Sequence, residues 1–367
     1  MPARISLIVS FCALLFVGDI CAAEKVFKVG VIVAMTGEGA SIGEAFKNGM
    51  QIAIDGLSEA DRGRLQFIYE DDALSGKMAV SAFNKLNTSS NIDALINLSS
   101  GTGKALAPLA ERQRLPFISV ATDPAIVEGR EWPVLLWVTP EEEAKVMIPE
   151  MERRGYRTVA RISTIHEGVM AGNAAFDQLN QGRFKLVLDE QYPPDAKDFK
   201  PYISKLRAAP GVDAVQLVLM PGHLGIFAKQ ARQLGINLPF FGWEILEDNN
   251  EVKIAEGALE GAWYVSADDP DDSFTKEYRR RFPQASFFTA PNGHDAVMIL
   301  AQAIKQSKGR DDLRRFLRNL KDFTGAMGTY SASGDGRYTL PAAVKVVTKQ
   351  GFAKLLPGQR QPAAQLE

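Results

Sequence analysis

The feature that most constrains this fold is residues 92–122, where strand, helix and strand patterns follow one another closely. Residues 92–98 are a short apolar run with β-branched side chains, and residues 117–120 are a second one. Between them, residues 104–114 have helical spacing, and Pro116 ends the helical pattern. This order predicts two neighbouring strands of a parallel sheet joined by a helix.

Polar residues follow both predicted strands, at 99–103 and at 121–123. The carboxyl ends of parallel strands meet at one edge of a sheet, and that edge is where open α/β sheets bind ligands. The loop at 99–103 also opens a helix, whose free N–H groups attract anions. The sequence therefore predicts a carboxylate receptor at this edge.

The same alternation recurs along the chain. Residues 27–34 are a near-continuous apolar run, which is typical of a strand buried on both faces. The pattern restarts near Pro140, and residues 212–219 form another strongly apolar strand. The predicted fold class is α/β, with two Rossmann-like lobes that each have a parallel sheet. We expect the chain to cross between the lobes near Pro140, near Pro270 and near residues 334–337.

These crossings define the predicted domains. A signal peptide comes first, an N-terminal and a C-terminal lobe are each built from two segments, and a flexible tail ends the chain. The predicted boundaries are 1–23 for the signal peptide, 24–140 plus 270–335 for the N-terminal lobe, 141–269 plus 336–355 for the C-terminal lobe, and 356–367 for the tail.

The N-terminus resembles a cleavable secretory signal. Arg4 precedes an apolar run at 5–17, and small residues lead to a predicted cleavage site after Ala23. A lipoprotein signal centred on Cys21 is a weaker alternative, and an uncleaved anchor is another. Cys12 and Cys21 are the only cysteines, so the exported protein would have no thiol chemistry. We expect a periplasmic location.

Composition and motifs argue against several functions. The formal net charge of -2 favours neither nucleic acid nor an anionic membrane as partner. Asp71 and Asp72 have no third ligand at metal-binding spacing, so we expect no metal and no cofactor. Residues 39–43 match the G-x-S-x-G hydrolase motif, but several loop residues separate this serine from the preceding strand. We therefore do not expect an enzyme.

Several segments together resemble the type I periplasmic binding proteins, close to the leucine/isoleucine/valine-binding branch that serves ABC importers. The similarity extends over about residues 25–340. It is carried by the order and spacing of VGVIVAMTGEGASIGEAFKNGMQIAID, YEDDALSGKMAVSAFNKL, NLSSGTG, PFISVAT, KQARQLGI and FFGWE. The resemblance implies two lobes on a three-strand hinge, a small-molecule ligand in the cleft, and an ABC permease as membrane partner. We expect a monomer.

The resemblance also implies which residues bind the ligand. Ser100, a backbone group of Val120 or Ala121, and Thr122 would hold a carboxylate and share the ammonium of an amino acid. Glu244, from the second lobe, would bind that ammonium. Without the resemblance, the hydroxyls could be turn or cap residues and the glutamate a surface carboxylate.

The side-chain pocket departs from the family pattern. Where the family often has aromatic residues, this chain has Ile42, His166 or Glu167, Met220 and His294. His294 could instead be an ordinary helix-start residue, and Met220 a core residue. The expected ligand is therefore an amino acid, branched-chain or similar, or a related small carboxylate.

The predicted function is that of a secreted solute-binding protein that closes around its ligand and delivers it to a permease. A sensor of the same fold, which signals to a partner protein instead of feeding a transporter, is the alternative.

Overall fold

The computed structural model describes residues 25–268, 272–356 and 358–359. The predicted signal peptide, Pro270 and most of the predicted tail lie outside the described residues.

Strands and helices alternate through most of the described chain. The strands are β1 (Phe27–Val33), β2 (Leu65–Asp71), β3 (Ala94–Leu98), β4 (Phe117–Val120), β5 (Pro133–Leu135), β6 (Thr158–Thr164), β7 (Lys185–Tyr192), β8 (Ala214–Val218), β9 (Phe240–Gly242), β10 (Trp263–Ala267), β11 (Phe323–Gly325), β12 (Gly328–Ala332), β13 (Tyr338–Thr339), β14 (Ala342–Thr348) and β15 (Gly351–Lys354). The α-helices are α1 (Ala40–Gly56), α2 (Glu59–Gly63), α3 (Gly76–Lys85), α4 (Ser100–Arg112), α5 (Pro140–Arg154), α6 (Glu167–Asn180), α7 (Lys200–Ala208), α8 (Leu224–Gln233), α9 (Asn249–Ile254), α10 (Asp272–Arg281), α11 (Ala290–Ile304) and α12 (Arg310–Arg318).

The first lobe contains a five-stranded parallel sheet in the order β2-β1-β3-β4-β5. Apolar side chains of α1 and α11 pack on one face, and those of α3 and α4 pack on the other. Strand β3 is buried along its whole length, which explains its unbroken apolar run. This doubly wound arrangement brings the ends of β3 and β4 to one edge of the sheet.

Helices α1 and α11 approach each other closely because each has a glycine at the contact. A Cβ added at Gly49 would lie 1.9 Å from the carbonyl oxygen of Ala290, and one added at Gly293 would lie 2.1 Å from that of Phe46. Only glycine fits at these two positions. The contact anchors α11, a late part of the chain, on the first lobe.

The second lobe has a seven-stranded sheet in the order β15-β14-β10-β9-β8-β6-β7. The five strands β10, β9, β8, β6 and β7 pair in parallel. Strand β14 is antiparallel to β10, and β15 is antiparallel to β14. The predicted α/β fold with two sheets is confirmed, but the expectation of a purely parallel second sheet is wrong. Strand β14 pairs antiparallel with β10, and the hairpin between β14 and β15 makes those two strands antiparallel to each other.

Some predicted bounds also differ from the structure. The apolar stretch at 258–265 suggests a strand, but β10 begins only at Trp263, because Gly257 and Gly261 adopt φ values of 88° and 79° that suit turns. The helix predicted from Lys104 begins four residues earlier, so the predicted loop at 99–103 is mostly its first turn. The short strands β11, β12 and β13 form a separate antiparallel sheet. The exact lobe boundaries stay a prediction.

In the part of the chain that the structure describes, no helix has both the length and the apolar character needed to span a bilayer.

Candidate ligand-binding site

A cavity of about 130 Å³ lies between the two lobes, at the carboxyl ends of strands from both sheets. Most of the site residues predicted from the sequence line it. They are Ile42, Ser100, Val120, Ala121, Thr122, His166, Met220 and Glu244. The fold therefore brings together residues that are far apart in the sequence.

One end of the cavity has two hydroxyl groups. Ser100 is the first residue of α4, and its Oγ accepts hydrogen bonds from the N–H groups of Thr122 at 3.1 Å and Asp123 at 3.3 Å. The hydroxyls of Ser100 and Thr122 lie 3.2 Å apart. Together with the free N–H groups of the first turn of α4, they can donate to one carboxylate.

The backbone before Ser100 has an unusual conformation. Ser99 has φ 115° and ψ 138°, a region that L-residues rarely adopt and that costs about 1–3 kcal/mol. A buried network holds this turn: the amide of Asn97 donates to the Ser99 carbonyl and to the hydroxyl of Thr102, and Ser119 donates to Asn97. The network thus holds a strained residue at the edge of the sheet where the cavity lies.

Helix α6 of the second lobe begins directly opposite these hydroxyls. A Cβ added at Gly168 would lie 2.8 Å from Thr122 Oγ1 and 2.9 Å from Ser100 Oγ. This close approach brings the first turns of α4 and α6 toward the same point. An anion bound there would be stabilised by the positive ends of two helix dipoles.

Contacts between the lobes at the cleft show that this conformation is closed. Besides the approach of Gly168, an ion pair joins Lys197 of the second lobe to Glu38 of the first lobe at 2.8 Å. His166 lies nearby, and its Nδ1 accepts from the N–H of Gly168 at 3.2 Å. Burial lowers the pKa of His166, so this cap of α6 is neutral at pH 7.

The cavity lining also contains two carboxyl groups, those of Glu143 and Glu244. Glu244 begins a turn of 3₁₀ helix after β9, and Glu143 lies in the first turn of α5. Both residues line the cavity, and their carboxyl groups are close enough to influence each other's ionisation. Burial and the neighbouring Glu244 carboxyl raise the pKa of Glu143 well above its usual value, and burial raises the pKa of Glu244. The sequence analysis did not identify Glu143.

The other walls of the cavity are mostly apolar. The rings of Trp137 and Phe288 meet edge to face with centroids 5.8 Å apart, and Trp243 and Val169 complete the wall. None of these four was predicted as a pocket wall. Their aromatic or β-branched character gives no signal in sequence, because the same residue types fill both cores.

His294 was expected as a pocket wall, and the structure places it elsewhere. Its ring packs 5.0 Å from that of Phe274, and its Nδ1 lies 2.8 Å from Asp295 Oδ1. Phe288, which precedes helix α11, lines the cavity where His294 was expected to contribute. The first turn of α11 packs onto α1, and His294 is not among the residues that line the cavity.

Glu167 also lies outside the cavity lining. Its Oε2 is 3.0 Å from the position of a Cβ added at Gly101, and it lines a separate opening with Lys104 and His166. Its neighbour His166, the alternative at this position, does line the cavity.

The acidic pair considered for metal has a structural role. The carboxylate of Asp71 accepts hydrogen bonds from the N–H groups of Met35 and Ala73 and from the hydroxyl of Thr36. Asp72 accepts one from the N–H of Leu74. Among the residues that the structure describes, no three His, Cys, Asp or Glu side chains are grouped as metal ligands.

Two α/β lobes that close on a small cavity lined by hydroxyl groups, carboxyl groups and apolar walls define a ligand-binding protein. Residues 26–351 match the model of the family described as "Periplasmic binding protein". The chain belongs to this family, and the recognition of a type I, leucine/isoleucine/valine-binding-like protein from its sequence is confirmed.

Relatives and solved structures agree with this assignment. The chain is 24% identical to the Leu/Ile/Val-binding protein homolog 2 of Brucella abortus (strain 2308), over 76% of each chain. A leucine binding protein from Thermotoga maritima superposes with a TM-score of 0.84 at 19% identity, covering 90% of this chain and 98% of that one. A solute binding protein from Rhodopseudomonas palustris BisB5, in complex with 3,4-dihydroxy benzoic acid, has a TM-score of 0.80 at 21% identity and covers 90% and 96%.

Proposed function

We propose that this protein is the extracytoplasmic solute-binding component of an ABC importer. It binds an amino acid, branched-chain or similar, or a related small carboxylate between its lobes and delivers it to the permease as a monomer in the periplasm. The observation that carries the proposal is the polarity of the cavity. The hydroxyls of Ser100 and Thr122 from the first lobe and the carboxyl of Glu244 from the second lobe line one cavity whose other walls are mostly apolar.

This polarity suits a zwitterion. The carboxylate of the ligand receives hydrogen bonds from Ser100, Thr122 and N–H groups. The ammonium of the ligand compensates the negative charge of Glu244. Burying either ligand charge without a partner would be costly, so both ends contribute to selectivity. Closure of the lobes excludes water and strengthens these contacts.

The relatives suggest two ligand classes. The Brucella relative is named for leucine, isoleucine and valine, whereas the Rhodopseudomonas protein holds an aromatic acid. An aromatic acid has no cation to compensate the carboxyl end of this cavity. We therefore favour amino acids.

Ligand binding should appear as thermal stabilisation of the purified protein. The panel contains L-leucine, L-isoleucine and L-valine, their des-amino counterpart 4-methylpentanoate, and benzoate and 3,4-dihydroxybenzoate. An amino acid present at 100 times its Kd should add about 2.7 kcal/mol to the free energy of unfolding. Stabilisation by none of the panel would contradict the proposal, and stabilisation by the aromatic acids alone would contradict the amino-acid preference.

Transport needs a separate test, because a sensor of this fold would bind its ligand equally well. Deleting the gene in its host should abolish high-affinity uptake of the ligand that the panel identifies. Unchanged uptake would contradict the role in an importer.

Removal of the hydroxyls of Ser100 and Thr122 should weaken the binding of every carboxylate ligand. Hydrogen bonds to charged groups contribute about 1.5–3 kcal/mol, so Ser100→Ala and Thr122→Val should each raise Kd about tenfold or more. The loss should be similar for L-leucine and 4-methylpentanoate, because both have the carboxylate. Calorimetry measures both, with Thr324→Val, at an exposed threonine of β11, as the control. Unchanged affinity in both cavity variants would contradict the carboxylate site.

A further inference from the structure

Glu143 has no role in the binding scheme described so far, although it is almost completely buried in the cavity wall. Glu143 is 2% exposed, lies in the first turn of α5 and lines the cavity. Its Oε1 has no hydrogen-bond partner among the described residues, and neither has Oε2 of Glu244. Two buried acceptor atoms without a hydrogen-bond partner therefore belong to two residues that line one cavity.

No cation in the described part of the chain forms an ion pair with either carboxyl group. The nearest acidic neighbour, Glu247, is already paired with Lys345 at 2.6 Å and accepts hydrogen bonds from the hydroxyls of Tyr264 and Ser266. The pair formed by Glu143 and Glu244 thus lies in a largely apolar wall without a compensating charge.

Two ionised carboxylates that are buried side by side repel each other strongly, so one of them retains a proton. The protonated acid can donate to its neighbour, and the pair then has a single negative charge. One oxygen of each group remains available as an acceptor. A primary ammonium has one positive charge and three N–H donors, so it can compensate the charge and satisfy both oxygens. An aromatic acid without an amino group brings no positive charge to the pair.

We propose that Glu143 and Glu244 form a carboxyl pair that binds the ammonium group of the ligand jointly, with Glu143 as a specificity-determining residue that contacts this ammonium through Oε1. The inference rests on the proposed function and narrows its ligand class to primary-ammonium carboxylates.

Two substitutions of similar size test this role. Glu143→Gln keeps an acceptor oxygen for the ligand and a donor for Glu244, whereas Glu143→Leu removes both. By calorimetry, Glu143→Gln should bind L-leucine within about threefold of the unmodified protein, and Glu143→Leu should bind it at least about tenfold more weakly. Binding of 4-methylpentanoate, which has no ammonium, should not weaken in either variant.

Glu142→Gln is a matched control. Glu142 lies in the same turn of α5, but its side chain is 40% exposed and pairs with Lys145. Its substitution should leave both affinities unchanged. If Glu143→Leu does not fold, Glu143→Met offers the same comparison with a flexible apolar side chain.

The outcomes separate this inference from the proposed function. If the unmodified protein binds L-leucine and Glu143→Leu binds it as tightly, the inference is overturned while the proposed function stands. A loss in Glu143→Gln as large as in Glu143→Leu would also overturn it, since the retained donor and acceptor would then be irrelevant. If the unmodified protein binds no amino acid of the panel, the proposed ligand class and this inference both fail.

Discussion

Glu244→Gln should weaken amino-acid binding by about 100-fold or more, because truncating one partner of a buried, hydrogen-bonded charge pair costs about 2–5 kcal/mol. The substitution keeps the size of the side chain and removes only the charge. The bound ammonium would then have only the Glu143 carboxyl beside it, whose pKa burial raises well above its usual value. Calorimetry with L-leucine measures this loss directly.

The same variant should bind 4-methylpentanoate within about threefold of the unmodified protein, because this ligand has no charge for Glu244 to compensate. Glu256→Gln is the control, since Glu256 pairs with Lys229 on the surface and its carboxyl is 67% exposed. Equal losses for the amino acid and its des-amino counterpart would contradict the assignment of Glu244 to the ammonium.

The two glutamates should therefore respond differently to the same change. We expect the proton of the pair to lie on Glu143, so an amide at position 143 would replace a neutral group, whereas an amide at position 244 would remove the negative charge. This asymmetry follows from their environments: burial raises the pKa of both, and the Glu244 carboxyl raises that of Glu143 further.

The strands and the hydroxyl end of the site could be predicted because their signals are local. The apolar runs of β1, β3 and β4 reflect burial on both faces of a parallel sheet, and the polar residues that follow β3 and β4 must share one edge. Ser100 and Thr122 are therefore placed together by topology alone. Their proximity to Gly168 depends on how the lobes close, which no local pattern encodes.

Only one member of the carboxyl pair was predicted, because the packing that brings the other one to the cavity has no local signal in the sequence. Glu244 follows an apolar strand, and a family motif identifies it. Glu143 lies in Pro140-Glu141-Glu142-Glu143, which is typical of the acidic first turn of an exposed helix. Only the packing of α5 against the cleft buries the third glutamate while leaving the second one in solvent. Neither charge nor spacing distinguishes them in the sequence.

The errors at the C-terminal end of the chain also have a tertiary origin. The apolar alternation of β14 does not indicate which sheet it joins or in which direction, and the hairpin with β15 is defined only by pairing. Helix α12 escaped prediction because its sequence is dominated by charged residues, with Leu313 and Leu317 as its buried positions. His294 was expected in the cavity wall, but its neighbour Gly293 packs closely against α1 and draws this turn of α11 toward that helix.

Closure of the lobes depends on the absence of a side chain at Gly168. A Cβ at this position would lie 2.8 Å and 2.9 Å from the hydroxyls of Thr122 and Ser100, which is closer than packed atoms approach. A valine adds two further methyl groups, so Gly168→Val would hold α6 away from α4 and fill the space of the ligand carboxylate. The closed state is stabilised only when both lobes contact the ligand, so it would be lost in this variant.

Gly168→Val should therefore reduce binding of L-leucine and 4-methylpentanoate alike by about 100-fold or more, the effect expected when several kcal/mol of contacts are lost together. The unliganded protein should remain folded, because glycine is less favourable than valine in a helix by a few tenths of a kcal/mol. Gly172→Ala, one turn further along α6, is the matched control, since its added Cβ would lie 3.6 Å from the Trp243 ring, an ordinary contact. Calorimetry measures the affinities, and small-angle scattering measures the compaction on ligand addition. Full affinity and full compaction in Gly168→Val would show that the approach of α6 to Ser100 and Thr122 is not part of the ligand-bound state.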